Sequence, residues 1–78
     1  MKLQINGDVR TFADESASFT LAALIELLNM KSDRVAVELN RQIAPRETWP
    51  QTSLKDGDRL EIVHFVGGGL ALLDPALL

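Results

Sequence analysis

The sequence predicts an α+β domain in which one main helix packs on one face of a mixed sheet of four or five strands. The chain has 78 residues, the size of one small domain. Several short segments carry apolar residues at every second position, the period of a strand with one buried face. One segment between them carries apolar residues at helical spacing instead. A helix layer on a sheet layer is the two-layer solution for such a chain.

The N-terminus is predicted to be a β-hairpin. Leu3 and Ile5 alternate with polar residues, and residues 9–12 alternate again. Asn6-Gly7 lies between the two segments and is a preferred pair for a two-residue type I′ turn, because both central positions need positive φ.

The one well-formed helix is predicted over residues 20–29. Four of its apolar residues share one face: Leu21, Leu24, Ile25 and Leu28. Ser18 or Thr20 can cap its N-terminus, and Asn29 is a plausible terminator. We expect the apolar face to pack against the sheet.

The second half of the chain alternates between strands and turns. Residues 34–40 read as a strand, Arg41-Gln42 as a turn, and Ile43-Ala44 as a very short strand. Pro45 and Pro50 exclude a long helix or central strand, although residues 47–51 can form one helical turn. Trp49 and Leu54 are predicted to be packing residues, and the turn Asp56-Gly57-Asp58 leads into the final strand.

The final strand and its continuation are the most informative stretch. Leu60 and Ile62 alternate with Glu61, and Gly67-Gly68-Gly69 follows soon after. Glycines have no side chain to pack, so this segment is expected to lie outside the fold as a mobile tail. Such a tail suits either a plain linker or delivery of a chain end into a narrow active site. We therefore predict a domain over residues 1–66, a glycine tail over 67–69, and an extension over 70–78 that is disordered or removed.

Composition excludes several classes of function. Cysteine is absent, so disulfides, thiolate metal sites and a cysteine nucleophile are impossible, and no metal site is expected. The net charge of −3 argues against nucleic acid as a partner. Apolar runs are too short for a membrane span, and a strand pattern starts at once, so no signal peptide is expected and a cytoplasmic protein is predicted. His64 is the one histidine and has no evident partner for acid–base catalysis. We expect no enzyme activity and no bound cofactor.

The order hairpin, helix, strand, short segment and strand matches the β-grasp arrangement of ubiquitin, with the first and last strands parallel in the centre. The sequence also resembles the ThiS family, the sulfur carriers of thiamine biosynthesis. The resemblance runs from Met1 to Gly69. It is carried by Leu-Gln-Ile-Asn-Gly at residues 3–7, by residues 34–40, and most specifically by Asp56-Gly-Asp leading into Glu-Ile-Val-His-Phe-Val at 61–66 and the glycines.

The resemblance implies that the protein is a co-substrate. Gly69 is then the reactive C-terminal glycine, and Gly67 and Gly68 are the tail that enters partner active sites. A ubiquitin-activating-like adenylyltransferase uses ATP to adenylate the glycine, which becomes a thiocarboxylate and donates sulfur to thiazole synthase. A cysteine desulfurase-type donor supplies the sulfur indirectly.

Residues 70–78 depart from the family pattern, because members commonly stop at the glycines. In this chain Gly69 is held in a peptide bond. The extension is a segment removed by a processing peptidase, a linker in a larger product, or an addition from expression or gene assignment. We favour cleavage after Gly69.

The partner surface is predicted on the open face of the sheet, away from the helix. Leu60 and Ile62 should face the helix, which leaves Glu61, Val63 and Phe65 on the open face. These three and Val66, next to the glycines in sequence, are the predicted partner-binding residues. An apolar anchor with a polar rim is how such interfaces are built.

Two alternatives to the thiamine pathway stay open. One is a non-catalytic β-grasp binding module or protein modifier, in which the glycines are a spacer. The other is a sulfur carrier of molybdopterin or amino-acid synthesis.

Overall fold

The computed structural model describes residues 1–13 and 19–65. Their regular elements, in chain order, are β1 (Lys2–Ile5), β2 (Asp8–Thr11), α1 (Leu21–Leu27), β3 (Val35–Leu39), β4 (Gln42–Ala44) and β5 (Arg59–His64). Two 3₁₀ segments lie at Ser32–Arg34 and Arg46–Gln51.

The five strands form one mixed sheet in the order β2-β1-β5-β3-β4. β1 and β5 pair in parallel, and the other neighbours are antiparallel. The predicted sheet, with its first and last strands adjacent in the centre, is confirmed.

Helix α1 begins and ends as its sequence indicates. The hydroxyl of Thr20, rather than Ser18, caps the N-terminus by accepting from the Ala23 N–H at 3.1 Å. Asn29 adopts φ 60°, and the Met30 N–H donates to the Ile25 carbonyl at 3.1 Å. A left-handed residue after the helix with this hydrogen bond is a Schellman ending.

The core lies between α1 and one face of the sheet. Its members are at most 6% exposed: Leu3, Ile5, Phe19, Leu21, Leu24, Ile25, Val35, Val37, Trp49, Leu54, Leu60 and Ile62. Trp49 and Leu54 are therefore packing residues, as predicted. The Trp49 indole N–H donates to the Ala44 carbonyl at 2.8 Å, which satisfies its polar atom inside the core.

One predicted turn was misplaced by a residue. The β3–β4 connection uses Asn40 and Arg41, at φ 50° and 69°, whereas Gln42 already belongs to β4. Asparagine tolerates the left-handed region, and here hydrogen bonds of its side chain stabilise that conformation. The Asn40 amide accepts from the Arg59 N–H and donates to Asp58, both at 3.0 Å.

Candidate functional site

The central strand β5 is paired with β3 up to its last residue, whereas its pairing with β1 covers only its first residues. β3 pairs with it over five positions, from Leu39 opposite Leu60 to Val35 opposite His64. One residue further on, the Phe65 N–H donates to the Arg34 carbonyl at 2.8 Å. The sheet thus fixes the chain to within two residues of Gly67.

The side chain of Asn6 extends the pairing of β1 with β5. Its carbonyl oxygen accepts from the Ile62 N–H at 2.7 Å, and its amide donates to the Ile62 carbonyl at 3.3 Å. The amide therefore takes the place of a strand residue beyond Ile5, the last residue of β1. Sequence reasoning identified Asn6 only as a turn residue. The positive φ of 51° explains the turn, but only the fold shows which backbone the amide meets.

The turn before β5 is tied to the first strand. The Lys2 N–H donates to the Asp56 carboxylate at 2.6 Å, and the Gly57 N–H donates to the Lys2 carbonyl at 2.7 Å. Asp58 accepts from the Lys55 N–H at 2.8 Å. Gly57 has φ 90°, a conformation that favours glycine. The Asp-Gly-Asp sequence is thus a structural device that sets where β5 begins.

The predicted reactive segment falls outside the described residues. This applies to Val66, Gly67, Gly68 and Gly69 and to the extension over 70–78. The predicted domain boundary at residue 66 and the role of Gly69 stay predictions.

The predicted partner surface lies where β5 faces away from α1. Leu60 and Ile62 are 1% and 0% exposed in the core, as expected. Glu61 between them is exposed, and Val63 is half-buried. Phe65, just past the strand, is also half-buried. Their partner-binding role stays a prediction.

A shallow groove of about 180 Å³ runs across this open face. Six residues of β3, β4 and β5 line it: Ala36, Val37, Glu38, Ile43, Glu61 and Val63. Ile43 is 80% exposed, more than the other large apolar side chains on the surface of the described residues, Val9 and Leu27. The strand register aligns Ile43, Glu38 and Glu61 in one row, and Ala36 and Val63 in the next.

The contributions of Glu38 and Ile43 were missed at the level of sequence. Each belongs to a strand that was predicted, but the row they form with Glu61 depends on which strands are neighbours. The alternation of residues 34–40 signals that Glu38 is on the open face. It does not signal that β5 lies beside it.

A second pocket, of about 380 Å³, lies on the helix side, against Ile25, Met30 and Trp49. Arg46 lies beside Trp49: its guanidinium is 5.6 Å from the Trp49 ring and donates to the carbonyls of Ser32 and Val35 at 2.6 and 3.1 Å. Arg46 thus connects the 3₁₀ segment Arg46–Gln51 to the start of β3.

The exposed His64 ends β5. Across residues 1–13 and 19–65, no three acidic, cysteine or histidine side chains gather in the manner of a metal site. Among the same residues, none of the helices has the length and apolar character needed to cross a membrane.

Comparisons with known proteins agree with this architecture. The model of the ThiS family matches residues 3–69. The sulfur carrier protein ThiS of Bacillus subtilis is 40% identical over 68 residues, covering 86% of this chain and 98% of that protein. The crystal structure of ThiS from Geobacter metallireducens superposes with a TM-score of 0.74 at 37% identity, covering 88% of this chain and all of that one.

Longer proteins contain a segment that is similar to this chain. A thiazole synthase of Paramagnetospirillum magneticum is 51% identical over 69 residues, which cover 88% of this chain. The chain spans about 20% of the length of that relative. The family match over most of the chain, the shared β-grasp fold and the full-length likeness to two ThiS proteins lead to one conclusion: the chain belongs to the ThiS family.

Proposed function

We propose that this chain is a sulfur carrier of thiamine biosynthesis, acting as a protein co-substrate with Gly69 as its reactive end. Family membership supports the proposal, as does the likeness to the Bacillus subtilis relative, which is a sulfur carrier protein. The single structural observation that carries it is the hydrogen bond from Phe65 to Arg34 at the end of β5. It anchors the body two residues before three consecutive glycines.

The chemistry requires a free carboxylate on Gly69. A carboxylate oxygen attacks the α-phosphate of ATP within the adenylyltransferase, and pyrophosphate leaves. A persulfide sulfur then displaces AMP from the acyl adenylate. Cleavage of the sulfur–sulfur bond by a thiol leaves the thiocarboxylate, whose sulfur is a strong nucleophile. Glycine suits this position because no Cβ crowds the carbonyl carbon.

Thiazole synthase is the proposed acceptor of the sulfur. Support comes from the relatives that carry this name, in which a segment like this chain is part of the same polypeptide. Two activities joined in one chain meet at a high effective concentration, an arrangement that favours successive steps of one reaction. The adenylyltransferase and the desulfurase-type donor are proposed from the resemblance alone.

Intact-mass measurement tests the central step. A form ending at Gly69 and the 78-residue form are each incubated with ATP, a ThiF-like adenylyltransferase and a sulfur donor. We expect the shorter form to gain the mass that corresponds to exchange of one oxygen for sulfur. The 78-residue form should stay unchanged, because its Gly69 carbonyl is an amide. A sulfur gain on the uncut chain would contradict the requirement for cleavage, and no gain on either form would contradict sulfur carriage.

Replacement of Phe65 by Ala tests the predicted partner surface. Phe65 is half-buried beside the tail, so we expect the variant to bind the adenylyltransferase at least about tenfold more weakly, as for an interface anchor. Unfolding in urea should stay cooperative. Loss of cooperative unfolding would instead identify Phe65 as part of the core.

A further inference from the structure

We propose that the groove on the open face receives one cationic side chain, an arginine or a lysine, from the adenylyltransferase. Glu38 and Glu61 hold its charge, and Ile43, Ala36 and Val63 pack against its aliphatic stem. This inference rests on the proposed function and identifies the chemistry of the partner's contact.

The first argument is the cross-strand geometry of the two glutamates. Glu38 and Glu61 are register partners on β3 and β5, and both are exposed. Directly opposite side chains start from Cβ atoms about 5 Å apart, a separation at which like charges destabilise a sheet. A cation between the two carboxylates removes this repulsion.

The second argument is the lack of an internal counter-charge. In the part of the chain that the structure describes, neither carboxylate accepts a hydrogen bond or lies within 4.0 Å of a cationic nitrogen. Glu38 has Ile43 opposite it on its other side, in β4. The row therefore reads apolar, acidic, acidic across three strands. Arg59, two residues before Glu61 on the same face of β5, forms no salt bridge with either carboxylate among the described residues.

The third argument is the apolar wall beside the carboxylates. Ile43 is 80% exposed, and Ala36 and Val63 form the neighbouring row. Arginine and lysine lay their methylene stems along apolar surface while their charged ends reach polar groups. A groove of about 180 Å³ is of the right order for one such side chain. Arginine fits best, since its planar group can contact two carboxylates together.

Other occupants fit the groove less well. A second copy meeting this face symmetrically would set four carboxylates against one another. Residues 70–78 supply leucines, but their sequence contains one acid and no cation. Both would leave Glu38 and Glu61 uncompensated, so charge complementarity selects a basic partner surface.

The position of the groove also suits the activating partner. Val63 is four residues before Gly67 on the strand that leads to the tail. A partner side chain seated between Glu38 and Glu61 would align β5 with the entrance to its own active site. The contact would then contribute to association and to the direction from which the glycines enter.

The test compares two double variants by calorimetric titration with the adenylyltransferase. E38Q/E61Q keeps the shape of the groove and removes both charges. E26Q/E47Q removes one exposed carboxylate from α1 and one from the 3₁₀ segment Arg46–Gln51, and it serves as the matched control. We expect the groove variant to raise Kd about tenfold or more and the control to change it by less than about twofold. Raising NaCl from about 0.05 to about 0.5 M should weaken wild-type binding more than that of E38Q/E61Q, because salt screens charge pairs.

A third variant, E61K, separates recognition from folding. It places a cation opposite Glu38 within the chain itself, so we expect a higher Tm together with binding weaker than that of E38Q/E61Q. A merely structural role would move Tm and affinity in the same direction.

Several outcomes would overturn the inference. E38Q/E61Q binding as tightly as wild type is one, and equal losses in the groove variant and the control is another. Backbone NMR shifts at Glu38, Ile43 and Glu61 that depend on protein concentration without partner would assign the groove to a second copy. Thiocarboxylation of the wild-type protein at saturating adenylyltransferase tests the proposed function separately. If the wild type is thiocarboxylated and E38Q/E61Q binds with unaltered affinity, this inference alone is overturned.

Discussion

The two faces of the sheet are built from the same strands but have opposite characters. The face toward α1 carries residues such as Val35, Val37 and Ile62, all at most 2% exposed. The open face carries Glu38 and Glu61 from the same strands, with apolar side chains left in contact with water. Successive strand residues point to opposite faces, so one stretch of sequence builds both surfaces.

The difference shows that the burial that stabilises the domain falls mainly on one face of the sheet. Burial of an aliphatic side chain contributes about 2 kcal/mol or more, and the helix face takes most of this gain. The open face tolerates opposed like charges and an exposed Ile43 because the core stabilises the sheet from the other side. The composition of the open face is therefore constrained less by burial than that of the helix face.

The largest expected effect comes from truncating neighbours on β5 that face opposite ways. Ile62→Ala should lower the free energy of unfolding by about 2–5 kcal/mol, because it leaves a cavity in the core. Val63→Ala, on the open face, should cost less than about 1 kcal/mol. Urea unfolding measures both. Equal losses would contradict the assignment of the two faces.

An intermediate effect is expected at Asn6, which supports β5 from its edge and belongs to neither face. Asn6→Ala should cost about 2 kcal/mol, since it removes the hydrogen bonds to Ile62 and places alanine at positive φ. Asn6→Gly removes the same bonds without the backbone strain, so it should cost about half as much. If thermal unfolding shows no loss in Asn6→Gly, water replaces the amide and the hydrogen bonds are not needed.

The smallest expected effect is a gain in stability, whereas the substitutions above lower it. Glu61→Gln removes the like-charge pair with Glu38 and should raise the free energy of unfolding by a few tenths of a kcal/mol. The gain should shrink in high salt, where the repulsion is already screened. A loss of stability would show that Glu61 has a favourable partner within the domain.

Local sequence was enough to predict the elements whose signals lie in neighbouring residues. The alternation at Leu3 and Ile5, the Asn6-Gly7 turn and the helix face from Leu21 to Leu28 correspond to observed structure. The turn at Asn40 and Arg41 was predicted one residue too late. Its positive φ values are stabilised by contacts to Asp58 and Arg59, which are distant in sequence.

By itself, the sequence determined that this chain forms a small two-layer α+β domain whose last strand is soon followed in sequence by three glycines, because residue period and turn chemistry are local properties. It also placed Glu61 and Val63 on the face of the sheet that points away from the helix, since strand alternation has a period of two. Only the tertiary structure decided that Glu38, Ile43 and Glu61 share one row and that the amide of Asn6 meets Ile62. Those neighbours come from strand order and register, which arise when distant segments bury a common apolar face.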